Sequence, residues 1–359
     1  MKRSSVTILR TLGLVRAARA LQRGRCVILA YHGVLSGGDN RYDFLNHNFV
    51  AAEAFEAHIR FLVRHYRPIR LADLVSCYRH QTPPPARSVV VTFDDGFANN
   101  YSVAFPILQK YGVPFTIFLT TGMIDQDGAQ LWTERVKRAV YLHHGENVLV
   151  PLLDRQVSCR LTSAMRREEC AREILTVLKS QPPAVRDAAV LTIEDVCGRP
   201  PLQPHELERY QFLTWSQVRA MARAGVEFGS HTVTHSILST LDESSLEREL
   251  ASSKRRIESE LEKECHAFAY PNGSRADFGP RDKRALQAIG YTCAVSLRGG
   301  LNVAPADLLE LDRINVGRNL NGPVFEAALA GLLGRAATVR RNVRRLAAKA
   351  TLRFPSGRR

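Results

Sequence analysis

Val89-Val90-Val91-Thr92-Phe93-Asp94-Asp95-Gly96 decides the reading of this chain. The apolar, β-branched run reads as a buried strand. It stops at two adjacent carboxylates and a glycine. Asp-Gly is first of all a turn signal, and a turn bearing a solvated charge pair is the plain reading. In an α/β protein, however, the C-terminal ends of strands are where chemistry is kept. A second stretch tips the balance. Glu227-Phe228-Gly229-Ser230-His231-Thr232-Val233-Thr234-His235 places two histidines four apart. If a helical turn begins after Ser230, both imidazoles leave one face, as two metal ligands would.

Working outward, apolar strands and amphipathic helices alternate. Cys26–Gly33 reads as a strand ending in Tyr-His-Gly, and Phe49–Tyr66 as a helix with Phe55, Ile59, Leu62 and Val63 on one stripe. Leu71–Tyr78 is a further helix, stopped by Pro83-Pro84-Pro85. Asn99–Tyr111, closed by Gly112, separates the central strand from Phe115–Leu119. Strand, helix, strand at this spacing is a βαβ unit and calls for a parallel sheet. Later, Thr214 caps a helix ending before Gly225, Asp242–Glu262 is a long charged helix, and Arg281–Ile289 is closed by Gly290. Strands at Val226–Gly229, His266–Ala269, Tyr291–Ser296 and Leu309–Ile314 bring the count to about seven. Residues 125–210 differ: charged, helical in pattern and broken by Pro182-Pro183 and Pro200-Pro201, they read as an insertion on the rim.

Thr92-Phe93-Asp94-Asp95-Gly96, with His231-Thr232-Val233-Thr234-His235 and a looser block Phe268-Ala269-Tyr270-Pro271-Asn272-Gly273, resembles the NodB-like polysaccharide deacetylases, carbohydrate esterase family 4. The likeness covers about residues 25–318. It implies an α/β fold, the distorted (β/α)7 barrel of the NodB-homology type, here with a helical insertion and basic helical termini. The domains expected are a basic amphipathic segment at 1–24, a barrel at 25–320 with its insertion at about 125–210, and a basic tail at 321–359. By motif position Asp95, His231 and His235 correspond to the family's metal triad, and Asp94 to its catalytic base. A divalent metal is implied; zinc suits two nitrogens and one oxygen. The oxyanion donor corresponds to the main-chain N–H of Asn272.

Two positions depart from the family pattern. The arginine that orients the base falls at Ala269, so that role is vacant. Arg313 either approaches Asp94 or makes a surface ion pair with Asp312, the second being the more ordinary arrangement. The family's acid histidine sits in a late Leu-x-His block, but the last histidine here is His266, at a strand start and so at the wrong end of a barrel. His32, at a strand end ahead of Asp94, is the substitute; some members of the group are circularly permuted in this way. The function implied is metal-dependent removal of an N-acetyl group from a sugar in a polysaccharide or lipid-linked glycan. The rivals are deformylation of a lipid-linked amino sugar and a non-catalytic glycan-binding barrel, the latter motivated by Ala269.

Charge is concentrated at the ends. Residues 1–25 hold seven basic side chains and no acid, residues 335–359 hold nine and no acid, and the whole chain is +15, so the body between is near neutral. Thr7–Leu21 and Val339–Leu352 read as basic amphipathic helices suited to an anionic membrane surface, or else as solvated tails. Aromatics are not interleaved with these charges, so nucleic acid is not an expected partner. No apolar run of about 18 residues exists, and arginines interrupt the N-terminus where a signal peptide needs a continuous apolar core. Seven scattered cysteines without a Cys-x-x-Cys pair read as free thiols in a reducing, cytoplasmic setting, with peripheral contact at the inner face of the membrane.

Overall fold

The computed structural model describes residues 14–20, 24–37, 47–199, 201–320 and 322–332. Its centre is a set of parallel strands: β1 (Arg25–Tyr31), β2 (Ser88–Phe93), β3 (Phe115–Leu119), β4 (Glu227–Ser230), β5 (Ala267–Ala269) and β6 (Cys293–Ser296). These pair in chain order, as in Leu29 opposite Val91, Thr92 opposite Thr116 and Phe118 opposite Gly229. The seventh strand, β7, is split in two. Leu311–Asp312 pairs with β6, whereas Ile314–Asn315 pairs with β1. The break falls at Arg313, and the split strand brings the two edges of the sheet together into a nearly closed (β/α)7 barrel.

Alternation along the strands separates two kinds of core. Val27, Leu29, Val89, Val91, Ile117 and Leu119 face the surrounding helices, where they meet Phe55, Ile59, Leu108 and Val218. The intervening residues Ile28, Val90, Phe118, Ala269, Val295 and Leu311 form a separate inner cluster. Side chains two apart on a strand share a face, so Thr92 and Asp94 follow Val90 on the inward side. Both faces are buried, which is why β1 and β2 read as unbroken apolar runs. The helices follow the sequence reading closely. Thr214 and Asp242 cap their helices by accepting the N–H groups of Gln217 and Ser245, and Gly290 ends its helix at φ 95°. The helix after Asp-Asp-Gly opens with a π-helical turn, Asn100–Ala104, before continuing as Phe105–Lys110.

The insertion contains α1 (Trp132–Leu142), α2 (Ala164–Leu178), α3 (Pro183–Cys197) and α4 (Pro204–Tyr210). It also contains an antiparallel hairpin, Asn147–Leu152 with Arg155–Arg160, that a mainly helical reading misses. Val148, Val150 and Leu152, and Val157 and Cys159 across from them, show the period-2 pattern of a strand with one wet face. A second hydrophobic core forms here around Trp132, Val140, Val150, Ile174 and Ile193, and Ile237 from the barrel joins it.

The cysteine expectation requires correction. Cys159 and Cys170 form a disulfide tying the hairpin to α2, and five cysteines remain free. Eleven residues separate the two in sequence, and only the fold sets their side chains face to face. With that pair formed, the cysteine pattern no longer argues for a reducing compartment.

Of the basic N-terminal segment, Leu14–Ala20 is helical; Val15 is buried and the Arg19 guanidinium lies 5.9 Å from the Phe61 ring centre. The rest of that segment and the expected helix at 339–352 lie outside the described residues. Among the described residues no helix is long and apolar enough to cross a membrane. A thiol titration of the unfolded chain is expected to give five free thiols before reduction and seven after it; seven before reduction refutes the pairing.

Candidate active site

The turn after β2 delivers the carboxylates. Asp95 has φ 72° and Gly96 φ 84°. A side chain at 96 would meet Leu119 at 2.8 Å, so the turn needs glycine on both counts. Inside the barrel, Asp94 meets Arg313. Nη1 and Nη2 of Arg313 donate to the two carboxylate oxygens at 2.6 and 2.7 Å, and Nη1 also donates to Thr92 at 3.0 Å. Nε donates to the Ser296 carbonyl at 3.2 Å, and the guanidinium lies 5.4 Å from the Phe118 ring centre. Arg313 is fully buried, so the expected surface pair with Asp312 does not form; Asp312 instead takes hydrogen bonds from Arg298 and Ser296. Burial alone pushes the Asp94 carboxyl up, but the Arg313 charge and hydrogen bonds win and hold it down at about 2.

The two histidines converge with Asp95 without the helical turn expected of them. After β4 the chain runs as a loop, with Thr232 at φ 69° and His235 at φ 58°. Its backbone is pinned from two sides. Thr121 and Gly122 donate to the carbonyls of Thr232 and Val233. The Glu249 carboxylate, on α5 (Glu243–Leu261), accepts the N–H groups of Val233 and Thr234. These strained conformations are what a loop stores when several partners over-determine it. Nε2 of His231 and of His235 lie 3.6 and 3.4 Å from Asp95 Oδ1. His231 Nδ1 sits 2.7 Å from the Ala269 carbonyl, which accepts its proton and leaves Nε2 as the free lone pair.

This trio fits a metal. Its donor atoms lie within 4.8 Å of one another, and Asp95 Oδ1 is buried without a hydrogen-bond partner. Ligands held about 2.0–2.1 Å from a tetrahedral zinc stand roughly 3.4 Å apart, close to the spacings observed. Burial, then the neighbouring charges of Asp94 and Glu134, pushes Asp95 well up, and burial pushes both histidines down. A cation at this point removes the penalty on the carboxylate and needs the histidines neutral.

His32 follows β1 and is buried, its Nδ1 without a partner. Its carbonyl accepts Asn100 Nδ2 at 2.7 Å. The charges of Asp94, Arg313 and His231 all bear on it, and burial brings it down to about 4. Asn272, at φ 61°, has its side chain engaged twice: Oδ1 accepts from Lys179 and Nδ2 donates to Asp277, both at 2.6 Å. Among the described residues no acceptor takes its main-chain N–H. His266 is exposed, paired with Glu264 and lies at the start of β5, away from this cluster. The structure thus gathers Asp94, Asp95, His231, His235 and Arg313, and sets His32 within electrostatic reach of them. Glu249, Lys179 and Asp277 are supports that no local sequence signal distinguishes from ordinary surface charges.

With barrel and site in view, the chain belongs to the polysaccharide deacetylase family, whose profile matches residues 81–145 and 187–294. Its members are hydrolases acting on amide bonds. The unmatched stretch between the two ranges holds the hairpin and α2. The polysaccharide deacetylase-type protein YxkH of Bacillus subtilis (strain 168) is 21% identical over 306 residues, 85% of this chain and 76% of its own length. The poly-beta-1,6-N-acetyl-D-glucosamine N-deacetylase of Staphylococcus aureus (strain N315) is 33% identical over 78 residues, 22% of this chain and 27% of that enzyme. Among solved structures, Streptococcus pyogenes deacetylase PplD in complex with acetate matches at TM-score 0.57 and 18% identity, covering 85% of this chain and 98% of its own. IcaB from Ammonifex degensii matches at 0.53 and 17%, covering 85% and 97%.

Replacing Arg313 by Met is expected to strand a buried carboxylate and to cost about 3–5 kcal/mol of folding stability. Arg313→Lys should recover part of this, because one ammonium cannot serve both oxygens. Equilibrium denaturation decides; a loss under about 1 kcal/mol, the scale of exposed pairs, refutes the account.

Proposed function

We propose that the protein is a metal-dependent deacetylase that hydrolyses the N-acetyl amide of an amino sugar within a polysaccharide or a lipid-linked glycan. The observation that carries this reading is the meeting of Asp95 Oδ1, His231 Nε2 and His235 Nε2 beside a carboxylate held by a buried arginine. Asp95, His231 and His235 would hold the ion, zinc by donor set, which when bound supplies Lewis-acid polarisation of the amide carbonyl and of water.

The chain's own groups do the rest. Asp94 is ionised and can take a proton from the attacking water. Arg313 fixes the orientation of both its oxygens and leaves lone pairs for that proton. The main-chain N–H of Asn272 serves as oxyanion donor, with Lys179 and Asp277 fixing the residue that bears it. His32 delivers the proton to the leaving amine. Because burial lowers its basicity to about 4, it starts neutral, and as negative charge builds on the substrate it takes up the proton that Asp94 removed from water and passes it to the nitrogen. The missing arginine at 269, which motivates a glycan-binding barrel, is offset by Arg313 reaching Asp94 from late in the chain.

The relatives named for poly-beta-1,6-N-acetyl-D-glucosamine N-deacetylation support an N-acetylated exopolysaccharide as substrate. We propose a lipid-linked or nascent form, drawn to anionic membrane by the basic ends. Binding to anionic but not neutral vesicles, lost on removing residues 1–13 and 333–359, checks that part.

Acetate release from N-acetylglucosamine oligomers, abolished by a chelator and restored by zinc, tests the central reading. Formate release from a formylated sugar instead would replace it with deformylation. His32→Ala is expected to lower kcat by about two to four decades, the scale of a lost acid–base group, with metal content intact. Near-normal turnover removes His32 from the mechanism.

A further inference from the structure

The metal trio occupies one end of the barrel, past the C-terminal ends of β2 and β4. The opposite end has a character of its own. The helix Leu71–Arg79 lies across it and sends Leu71, Leu74 and Val75 into the inner core beside Ile28, Val90 and Phe118. Next to this helix, the first residues of β4, β5 and β6 line a cavity of about 470 Å³. Its apolar floor includes Leu71, Val75, Phe228, Ile257 and Leu261. A second cavity, of about 660 Å³, shares Arg70, Gly225 and Val226 with the first. The two therefore run together as one groove across the N-terminal ends of the strands.

The rim of this groove is cationic. Arg79 and Lys263 line the first cavity and Arg67 the second. The Arg67 N–H donates to the Arg87 carbonyl at 2.8 Å, and Arg223 sits between Ala222 and Ala224, both of which line the groove. All five basic residues are exposed, and among the described residues their side chains make no ion pair or hydrogen bond. The acids that line the groove are engaged already. Arg70 holds Asp73 at 2.7 Å, the Thr116 hydroxyl donates to Glu227 at 2.9 Å, and Glu264 lies 3.0 Å from His266. Unpaired cations thus surround an apolar trough. Residues 1–13 and 333–359 are basic and hold no acid, so the chain's own ends are repelled from it.

We propose that this end of the barrel seats on an anionic membrane. Lipid phosphates meet Arg67, Arg79, Arg87, Arg223 and Lys263, and the apolar floor between them receives acyl chain. A nucleic acid would call for aromatic side chains on which bases stack, and the floor is mainly aliphatic. The basic N-terminal segment joins the barrel at this same end, where β1 begins at Arg25. Tether and seat are then drawn to one surface. This rests on the membrane reading proposed above and adds which face of the barrel meets the lipid. Glu227, in the groove, lies about 13 Å from His231 along β4, at the usual rise per strand residue. The catalytic end therefore points away from the bilayer, and the sugars within its reach are those extending from the surface.

The test uses the full chain, vesicles of phosphatidylglycerol, and vesicles of phosphatidylcholine as the neutral control. Binding is read by co-sedimentation and the contact face by amide hydrogen exchange. Phosphatidylglycerol vesicles are expected to slow exchange at 80–87 and 262–264. They should leave the exposed segments 125–128 and 274–276, at the catalytic end, unchanged. Arg67→Gln, Arg79→Gln and Lys263→Gln replace exposed side chains to which the fold is nearly indifferent. Each should weaken vesicle binding about fivefold, the effect of one basic residue at an anionic surface, and the three together about a hundredfold. Neutralising Arg275 at the catalytic end, or Arg160 on the hairpin, should leave binding unchanged. Protection at 274–276 instead of 80–87, or equal weakening by Arg275→Gln, overturns the seat while the membrane reading based on the chain's ends stands. No affinity of the unaltered chain for phosphatidylglycerol refutes both. A DNA duplex that gives the same footprint at the same affinity makes the face a general polyanion surface and overturns the lipid assignment.

Discussion

A guanidinium and a carboxylate taken wholly out of water are the constraint on which the rest of this fold turns. Arg313 and Asp94 are both within one per cent of full burial. Charges so placed are tolerated only when paired with good geometry and with their remaining hydrogen-bonding capacity used. Here it is used: Thr92, Ser296 and the Phe118 ring surround the guanidinium. These partners come from β2, β6 and β3, and Arg313 itself from the break in β7. One ion pair thus makes demands on most of the barrel's circumference. The same arrangement keeps Asp94 ionised, the state a base must start from.

Beside this pair stands a trio with the opposite electrostatic bias. Asp95 is pushed up and the two histidines are pushed down, so each favours its neutral form in the protein alone. Adjacent carboxylates in one turn thereby acquire different characters. Asp94 is neutralised by a fixed internal cation, whereas Asp95, with His231 and His235, has the donor set to take a cation from outside. The left-handed backbone at Asp95, Thr232, His235 and Asn272 shows where local strain is held so that these groups can face one another.

The motifs themselves were legible because their information is local. Asp94-Asp95-Gly96 ends an apolar strand, and His231 and His235 lie in one short loop. The barrel strands were legible as runs buried on both faces. Arg313 was legible only as one of two alternatives: 219 residues separate it from Asp94, and nothing near it in sequence decides between that carboxylate and a surface pair with Asp312. The turn carrying the histidines was misread as helical, because spacing four apart says nothing about positive φ at Thr232 and His235. The Cys159–Cys170 pair was missed for a similar reason, since scattered cysteines give no connectivity. The hairpin's alternation was present in Val148-x-Val150-x-Leu152 but was outweighed by the charged helices around it.

The split seventh strand joins two jobs in one residue. Its halves seal the sheet between β6 and β1, and the side chain at the seam fixes the aim of the Asp94 carboxylate. A nascent polypeptide therefore carries Asp94, Asp95, His231 and His235 long before Arg313 exists to orient the Asp94 carboxylate. On the proposed mechanism competence would come only with the last staple of the wall, and an incompletely assembled barrel would be an unarmed one.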